Sequence, residues 1–441
     1  MLKKVFEQID KANIKTGTKL LCAISGGVDS TVMLHVLDDF GFDCIVAHCN
    51  FKLRGKASDD DENFVRELAA KFEFKFLCQT FDTYKYAEKT GLSIQMAARD
   101  LRYNWFNEMA KQYNCKYIAL AHNSDDQVET IITNLARGTG IKGLTGMSFV
   151  KDKLFRPLLF TSREEIEAFA KENAIDFKID ETNKSTKYSR NKIRHKIIPL
   201  LEEINTSAKS NILKSVKYLT DTEVIMREYV KSCKEKCLNY IGENIEIDLR
   251  ELKKCVAPET VLFELLLGEG IPKPLASESI NLIDSKSGKT CSFLNITVLR
   301  DRNSLIINKN SKIEKFETVF INNFDELKLL EQFKVSAKLV DYQPDLKINK
   351  ISNFAYIDFE KLVFPLSLRT WQEGDRFKPF GMKNYRKLSD FLKDEKLNLF
   401  EKENLKILES DGKIVWLLGL RLDNRFRISD ETKKVLILEK T

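Results

Sequence analysis

No stretch of the 441-residue chain approaches the roughly 18 uncharged apolar residues of a membrane-spanning helix, so no membrane anchor is expected. The N-terminus reaches Glu7 without an uninterrupted apolar core. A secretory signal peptide is therefore not expected, and a cytoplasmic protein is the default. The nine cysteines include no Cys-x-x-Cys pair, and their number is odd. That argues against a disulfide framework and the usual zinc site, and leaves buried free thiols. Internal repeats and low-complexity segments are missing too. The apolar fraction of 43% is ordinary for a globular protein, which argues against long disorder. The length suits two to four domains.

The net charge of +7 is modest, but it is unevenly spread. Nine lysines and arginines lie between Lys184 and Lys217, among them Arg190, Lys192, Arg194 and Lys196, against only Glu202 and Glu203. Such a surface suits a polyanionic partner, although a solvated helix face would look similar.

The first part of the chain alternates strand and helix. Short apolar runs at Lys19–Ile24, Cys44–His48, Lys75–Cys78 and Tyr117–Ala121 read as buried strands. Helices are expected over Thr31–Phe40, Asp59–Phe72, Ile94–Tyr113 (capped by Ser93) and Asp125–Arg137. This repetition implies a doubly wound parallel α/β sheet with ligands beyond the carboxyl ends of its strands. Ser162-Arg163-Glu164-Glu165 reads as a capping box opening a helix to about Glu172. The segment Arg190–Tyr240 is largely helical and basic. Residues from about 241 to 310 mix short helices with strands such as Ser304–Ile307. Lys315–Asp345 reads as a connector. The tail is α+β, with strands at Ile414–Leu418 and Val435–Leu438 and a short helix near Leu388–Leu392. Three domains are expected: a catalytic α/β domain over 1–204, a mainly helical middle domain over 205–345, and a small α+β domain over 346–441.

The chemistry starts at Ser25-Gly26-Gly27-Val28-Asp29-Ser30, between the first strand and its helix. The glycines let backbone N–H groups approach an anion, and the helix N-terminus adds partial positive charge. Ser25, Ser30 and Thr31 can donate to phosphate oxygens. Asp29 is out of place in a pure anion cradle and makes sense if Mg²⁺ is shared with the phosphates. No lysine follows the glycines, so this is not a Walker loop. The string resembles the pyrophosphate-binding (PP) loop of the N-type ATP pyrophosphatases, which adenylate a carbonyl or amide oxygen and release pyrophosphate.

Further motifs follow in order. They are His48-Cys49-Asn50-Phe51-Lys52-Leu53-Arg54, Ala98-Arg99-Asp100-Leu101-Arg102-Tyr103, and Ala121-His122-Asn123-Ser124-Asp125-Asp126-Gln127-Val128-Glu129-Thr130. Then come Arg137-Gly138-Thr139-Gly140, Arg156-Pro157-Leu158-Leu159, Asp180-Glu181-Thr182-Asn183 and Tyr188-Ser189-Arg190-Asn191-Lys192-Ile193-Arg194. Together they resemble the tRNA(Ile)-lysidine synthetase family from about Lys19 to Leu201. The resemblance returns at Arg369-Thr370-Trp371-Gln372-Glu373-Gly374-Asp375-Arg376-Phe377 and Trp416–Arg421. The family usually has histidine where this chain has Phe51 and Asn123. Neither position therefore demands histidine, and His48 and His122 are the ones to test.

The resemblance implies adenylation of the carbonyl oxygen of a wobble cytidine in an isoleucine tRNA bearing the CAU anticodon. The ε-amine of L-lysine then displaces AMP and leaves lysidine, which pairs with A. ATP and Mg²⁺ are the implied cofactors. Asp29 and Asp126 are candidate magnesium ligands, and Asp29, His122, Asp126 and Glu129 candidate catalytic groups. One of the acids could instead hold or deprotonate the lysine ammonium, and Asp125 or Asp126 could simply cap its helix. Arg99 and Arg102 either contact phosphate or pair near Asp100 on the surface. Arg137 lies in the family's loop near the substrates. Arg190, Arg194, Arg369 and Arg376 are candidate tRNA contacts, two separated basic groups that suit readout of RNA shape. Trp371 reads as core more readily than as a base stacker. A homodimer is compatible with the sequence.

Three rivals remain. A tRNA cytidine thiolase would carry Cys-x-x-Cys pairs. A synthetase acting on a small metabolite would not need the basic helices or the tail. A non-catalytic tRNA binder would not need Asp29, Asp126 and Glu129 together.

Overall fold

The computed structural model describes residues 1–53, 55–178, 189–310, 316–344, 346–349 and 351–441. Arg54, Asp180–Asn183 and Tyr188, quoted above, lie outside them. The chain divides into two units, Met1–Glu228 and Tyr229–Thr441.

The first unit is built in chain order from α1 (Leu2–Lys11), β1 (Lys19–Ala23), α2 (Val28–Asp39), β2 (Asp43–Asn50), α3 (Lys56–Lys71), β3 (Lys75–Thr80), α4 (Thr83–Thr90), α5 (Ile94–Gln112), β4 (Tyr117–Ala119), α6 (Ser124–Arg137), α7 (Ile141–Leu144), β5 (Val150–Lys151), β6 (Leu154–Phe155) and α8 (Arg163–Glu172). The strand order is β3-β2-β1-β4-β6-β5, parallel except for β5. Alternate residues point to opposite faces. Leu20, Cys22, Cys44 and Val46 join α2 in one core, while Leu21, Ile45 and Ala47 pack with Trp105 and Phe106 of α5 in the other. The parallel sheet with helices on both faces is the one expected. The order reverses between β1 and β4, which is where such sheets open a ligand crevice.

Several boundaries differ from the sequence reading. Helix α2 starts at Val28, with Gly27 as its N-cap, so Asp29 and Ser30 lie in its first turn. Helix α4, capped by Asp82, was not anticipated. The capping box of Ser162 with Glu165 and the Ser93 cap are both formed. The basic stretch after Ser189 forms a helical turn, a π-helical turn over Ile193–Ile197 and a helix over Ile198–Ile204. Extended Asn205 separates these from the long helix Ala208–Cys237.

In the second unit the end of that helix and the helices Pro258–Gly268 and Lys273–Ser279 pack on a five-stranded antiparallel sheet over residues 238–308. The middle region is thus helical with an added sheet. The strands Val319–Ile321 and Val335–Asp341 correct the connector reading. The first pairs with Leu366–Thr370 and the second with Lys434–Lys440, so both are built into the sheets of the tail. Their hydrophobic pattern is weak because Val335–Asp341 pairs with one neighbour only and leaves part of its length exposed. All nine cysteines are free thiols. Among the described residues no helix is long and apolar enough to cross a membrane.

Candidate active site

The loop after β1 is organised by its own backbone and hydroxyls. Gly26 has φ +92°, a left-handed conformation that favours glycine. Ser30 Oγ donates to Gly27 O at 2.9 Å and lies 3.1 Å from Ser25 Oγ. The first N–H groups of α2 have no intrahelical partner and are available to an anion. Val28 points the other way, into the core.

Asp29 stands in this first turn. Its Oδ1 accepts from Asn123 Nδ2 at 3.0 Å, and its Oδ2 accepts from Arg163 Nη1. Burial raises the Asp29 pKa, partly offset by Arg163 and Asn123, while the nearby Asp126 charge pushes it further up.

Helix α6 supplies the rest of the acidic group. Asn123 is its N-cap and forms a capping box with Asp126, both bonds being 3.0 Å. Asp126 therefore caps the helix through one oxygen and faces arginines through the other. Its Oδ1 accepts from Arg190 Nη2 at 2.7 Å and Arg194 Nη2 at 3.4 Å. Glu129, one turn on, is 1% exposed and takes one Nε–H on each oxygen, from Arg190 and Arg194, both at 2.5 Å. Asp125 faces elsewhere, accepting from the Arg163 backbone N–H at 2.9 Å and Lys209 Nζ at 3.2 Å. Arg190 and Arg194 read as tRNA contacts in the sequence. The structure puts them on carboxylates, because a buried acidic pair requires countercharge.

A cleft of about 470 Å³ opens at the ends of β1, β2 and β4. It brings together Ser25, Gly27, Asp29 and Ser30 with His48, Phe51, Arg99, Arg102, His122 and Arg190. Asp126 and Glu129 adjoin it through their bonds with Arg190, and Arg194 joins the group through its own bonds with both acids. His48 Nδ1 lies 2.9 Å from Ile24 O, which fixes that nitrogen as the donor. Burial lowers the His48 pKa. Burial also drops His122 to about 3, helped by Arg156, Arg190, Arg99 and Arg102. Its Nδ1 is buried without a partner among the described residues. His122 is thus a neutral imidazole with an unspent polar atom. Arg137 is exposed at the end of α6 and does not line the cleft.

Arg163 was missed as a site residue. In the sequence it is only part of a capping box, and no local pattern links it to Asp29, which lies 134 positions away. In the tail, Arg369 is corrected from tRNA contact to internal brace. Its guanidinium donates to both oxygens of Asp375 at 2.9 Å, to Glu409 at 2.6 and 2.9 Å, and to Thr370 O at 3.1 Å. Arg376 is exposed on the short strand Arg376–Phe377. Trp371 donates to Lys402 O at 2.8 Å and packs against the tail's small core, as the sequence reading preferred.

Comparison with known proteins sharpens this picture. A PP-loop domain model matches residues 1–201, a TilS substrate binding domain model 240–310, and a TilS substrate C-terminal domain model 366–438. The tRNA(Ile)-lysidine synthase of Parabacteroides distasonis is 41% identical over 419 residues, covering 95% of this chain and 94% of that protein. The chain belongs to the tRNA(Ile)-lysidine synthase family. The synthase of Bacteroides thetaiotaomicron is 38% identical over 435 residues, covering 98% of each chain. Within the lysidine synthase frame, the two departures from the usual histidines acquire definite places. Asn123 caps α6 and hydrogen-bonds Asp29. Phe51 lines the cleft and stacks on Phe81, with ring centroids 5.6 Å apart.

Proposed function

We propose that this chain is an ATP-dependent ligase that forms lysidine on an isoleucine tRNA, with the cleft of the first unit as its catalytic centre. The ATP phosphates lie on the Ser25–Ser30 loop and the N-terminus of α2. The carbonyl oxygen of the wobble cytidine attacks the α-phosphate, and pyrophosphate leaves. The lysine ε-amine then attacks the adenylated carbon, and AMP departs. Adenylation is needed because the carbonyl of cytosine is a poor electrophile. The placement of the PP loop in one cleft with Arg99, Arg102 and His122 is the observation that carries this reading.

Asp29 and Asp126 fit a magnesium ion shared with the phosphates. Magnesium takes oxygen ligands and commonly needs only one or two protein carboxylates. Asn123 ties the two side chains together, donating its amide to Asp29 and its backbone N–H to Asp126, and Asp29 carries the burdens of burial and of a like charge that a cation relieves. Bound there, Mg²⁺ would screen the charge on the pyrophosphate. Asp126 and Glu129 attract two guanidiniums, and the same field suits the lysine ε-ammonium. His122, neutral and weakly basic, serves as a hydrogen-bonding group, since a base that titrates near 3 is a poor acceptor for an ammonium proton. Exposed Lys192, Lys196 and Arg376 face tRNA phosphates, and the location is the cytoplasm, where tRNA is found.

The test is Asp29→Ala. AMP formation dependent on lysine and tRNA should be abolished while tRNA binding, measured by gel shift, persists. Loss of binding together with AMP formation would make Asp29 a structural residue and remove it from the catalytic centre.

A further inference from the structure

The cations around the cleft fall into two groups. Arg163, Arg190 and Arg194 are each held by carboxylates. Arg99 and Arg102 are not. Each is exposed and lies over an aromatic ring, Arg99 4.8 Å from the Tyr103 centroid and Arg102 5.1 Å from that of Phe51. Neither has a carboxylate partner among the described residues. Asp100, the obvious neighbour, accepts instead from the Tyr86 hydroxyl.

A guanidinium resting on a ring face is oriented without using its N–H groups, which stay free for a planar oxyanion. A guanidinium paired with a carboxylate is oriented at the expense of those donors. The Phe51 ring is well braced for the first arrangement. It stacks on Phe81 at 22° between planes, and Phe81 meets Trp105 edge-on. The Phe51 carbonyl accepts from Thr83 Oγ1 at 3.3 Å. On either side of Phe51, the Asn50 carbonyl accepts from Phe81 N, and Asn50 Oδ1 accepts from Lys52 N.

We infer that Phe51 is a positioning residue, a fixed aromatic shelf that holds Arg102 open toward a substrate phosphate. This rests on the assignment of the cleft to ATP and tRNA. It gives a role to the side chain that stands where the family usually has histidine. The phosphate belongs either to ATP or to the RNA backbone, and steady-state kinetics separates the two.

The experiment measures AMP release by the full-length chain with tRNA varied at saturating ATP, and then the reverse. Arg102→Met should raise the KM of one of the two substrates about tenfold, the loss of a charged hydrogen bond. Phe51→Leu should raise the same KM about three- to fivefold, in line with a cation–π contact, with kcat little changed. Phe51→Trp should restore it, and Phe51→Leu should add nothing on the Arg102→Met background. A full additional effect in the double variant, or a fall in kcat with KM unchanged, would overturn the shelf. Unchanged KM values for both substrates in Arg102→Met would overturn the phosphate assignment itself. If Phe51→Leu fails to fold, Phe51→Met fills the space without a ring and gives the same readout.

Discussion

At the residue scale, the chemistry depends on how each polar group is paired. His122 is the sharpest case. Its folded pKa of about 3 lies far below its ordinary 6.5. Between these values the unfolded chain binds a proton that the folded chain does not, so stability falls as pH drops through this window. One proton limits the slope to about 1.4 kcal/mol per pH unit. His122→Asn should flatten the curve of unfolding free energy against pH between about 6 and 4. Identical slopes for both proteins would mean that the imidazole is solvated. The tail arginines give a second contrast. Arg369→Ala strands Asp375 and Glu409, and should cost on the order of 3 kcal/mol in urea unfolding. Arg376→Glu should leave stability unchanged and weaken binding of full-length tRNA. The opposite pattern, with Arg369→Ala neutral for folding, would return Arg369 to the RNA surface. Such distinctions were invisible in the sequence. Arg369 and Arg376 share a basic motif, and only tertiary contacts show which of them is free.

At the element scale, the sequence was informative wherever a local signal existed. The short apolar runs gave the parallel strands, and Ser93 and Ser162 gave two helix starts. Asp126 and Glu129, three residues apart, do share a helix face. The N-cap of α6 is Asn123 rather than Asp125 or Asp126, with Asp126 closing the capping box from the third helical position. Asn123→Ala removes the N-cap of α6 and should cost about 1 kcal/mol of stability. Since Asn123 also bonds Asp29, the same variant should lower the rate of AMP formation. An unshifted urea midpoint would show that another group caps the helix. The strands at Val319–Ile321 and Val335–Asp341 were illegible for a different reason. Their partners lie up to about a hundred residues away, and their exposed positions break the apolar alternation.

At the scale of the whole molecule, family membership explains why a PP loop and a tRNA-sized substrate occur in one chain. The loop alone fits any of several adenylating synthetases. The additional segments, matched over 240–310 and 366–438, distinguish this chain from enzymes acting on small metabolites. The opening motif was legible because phosphate binding is local, a few N–H groups and two glycines. Substrate identity is distributed, and it came from the order of many weak motifs. The most direct test supplies purified protein with ATP, Mg²⁺, labelled lysine and an isoleucine tRNA bearing CAU. Label should appear in the wobble nucleotide of that tRNA and be absent from elongator methionine tRNA. No incorporation, or equal incorporation into both, would contradict the account.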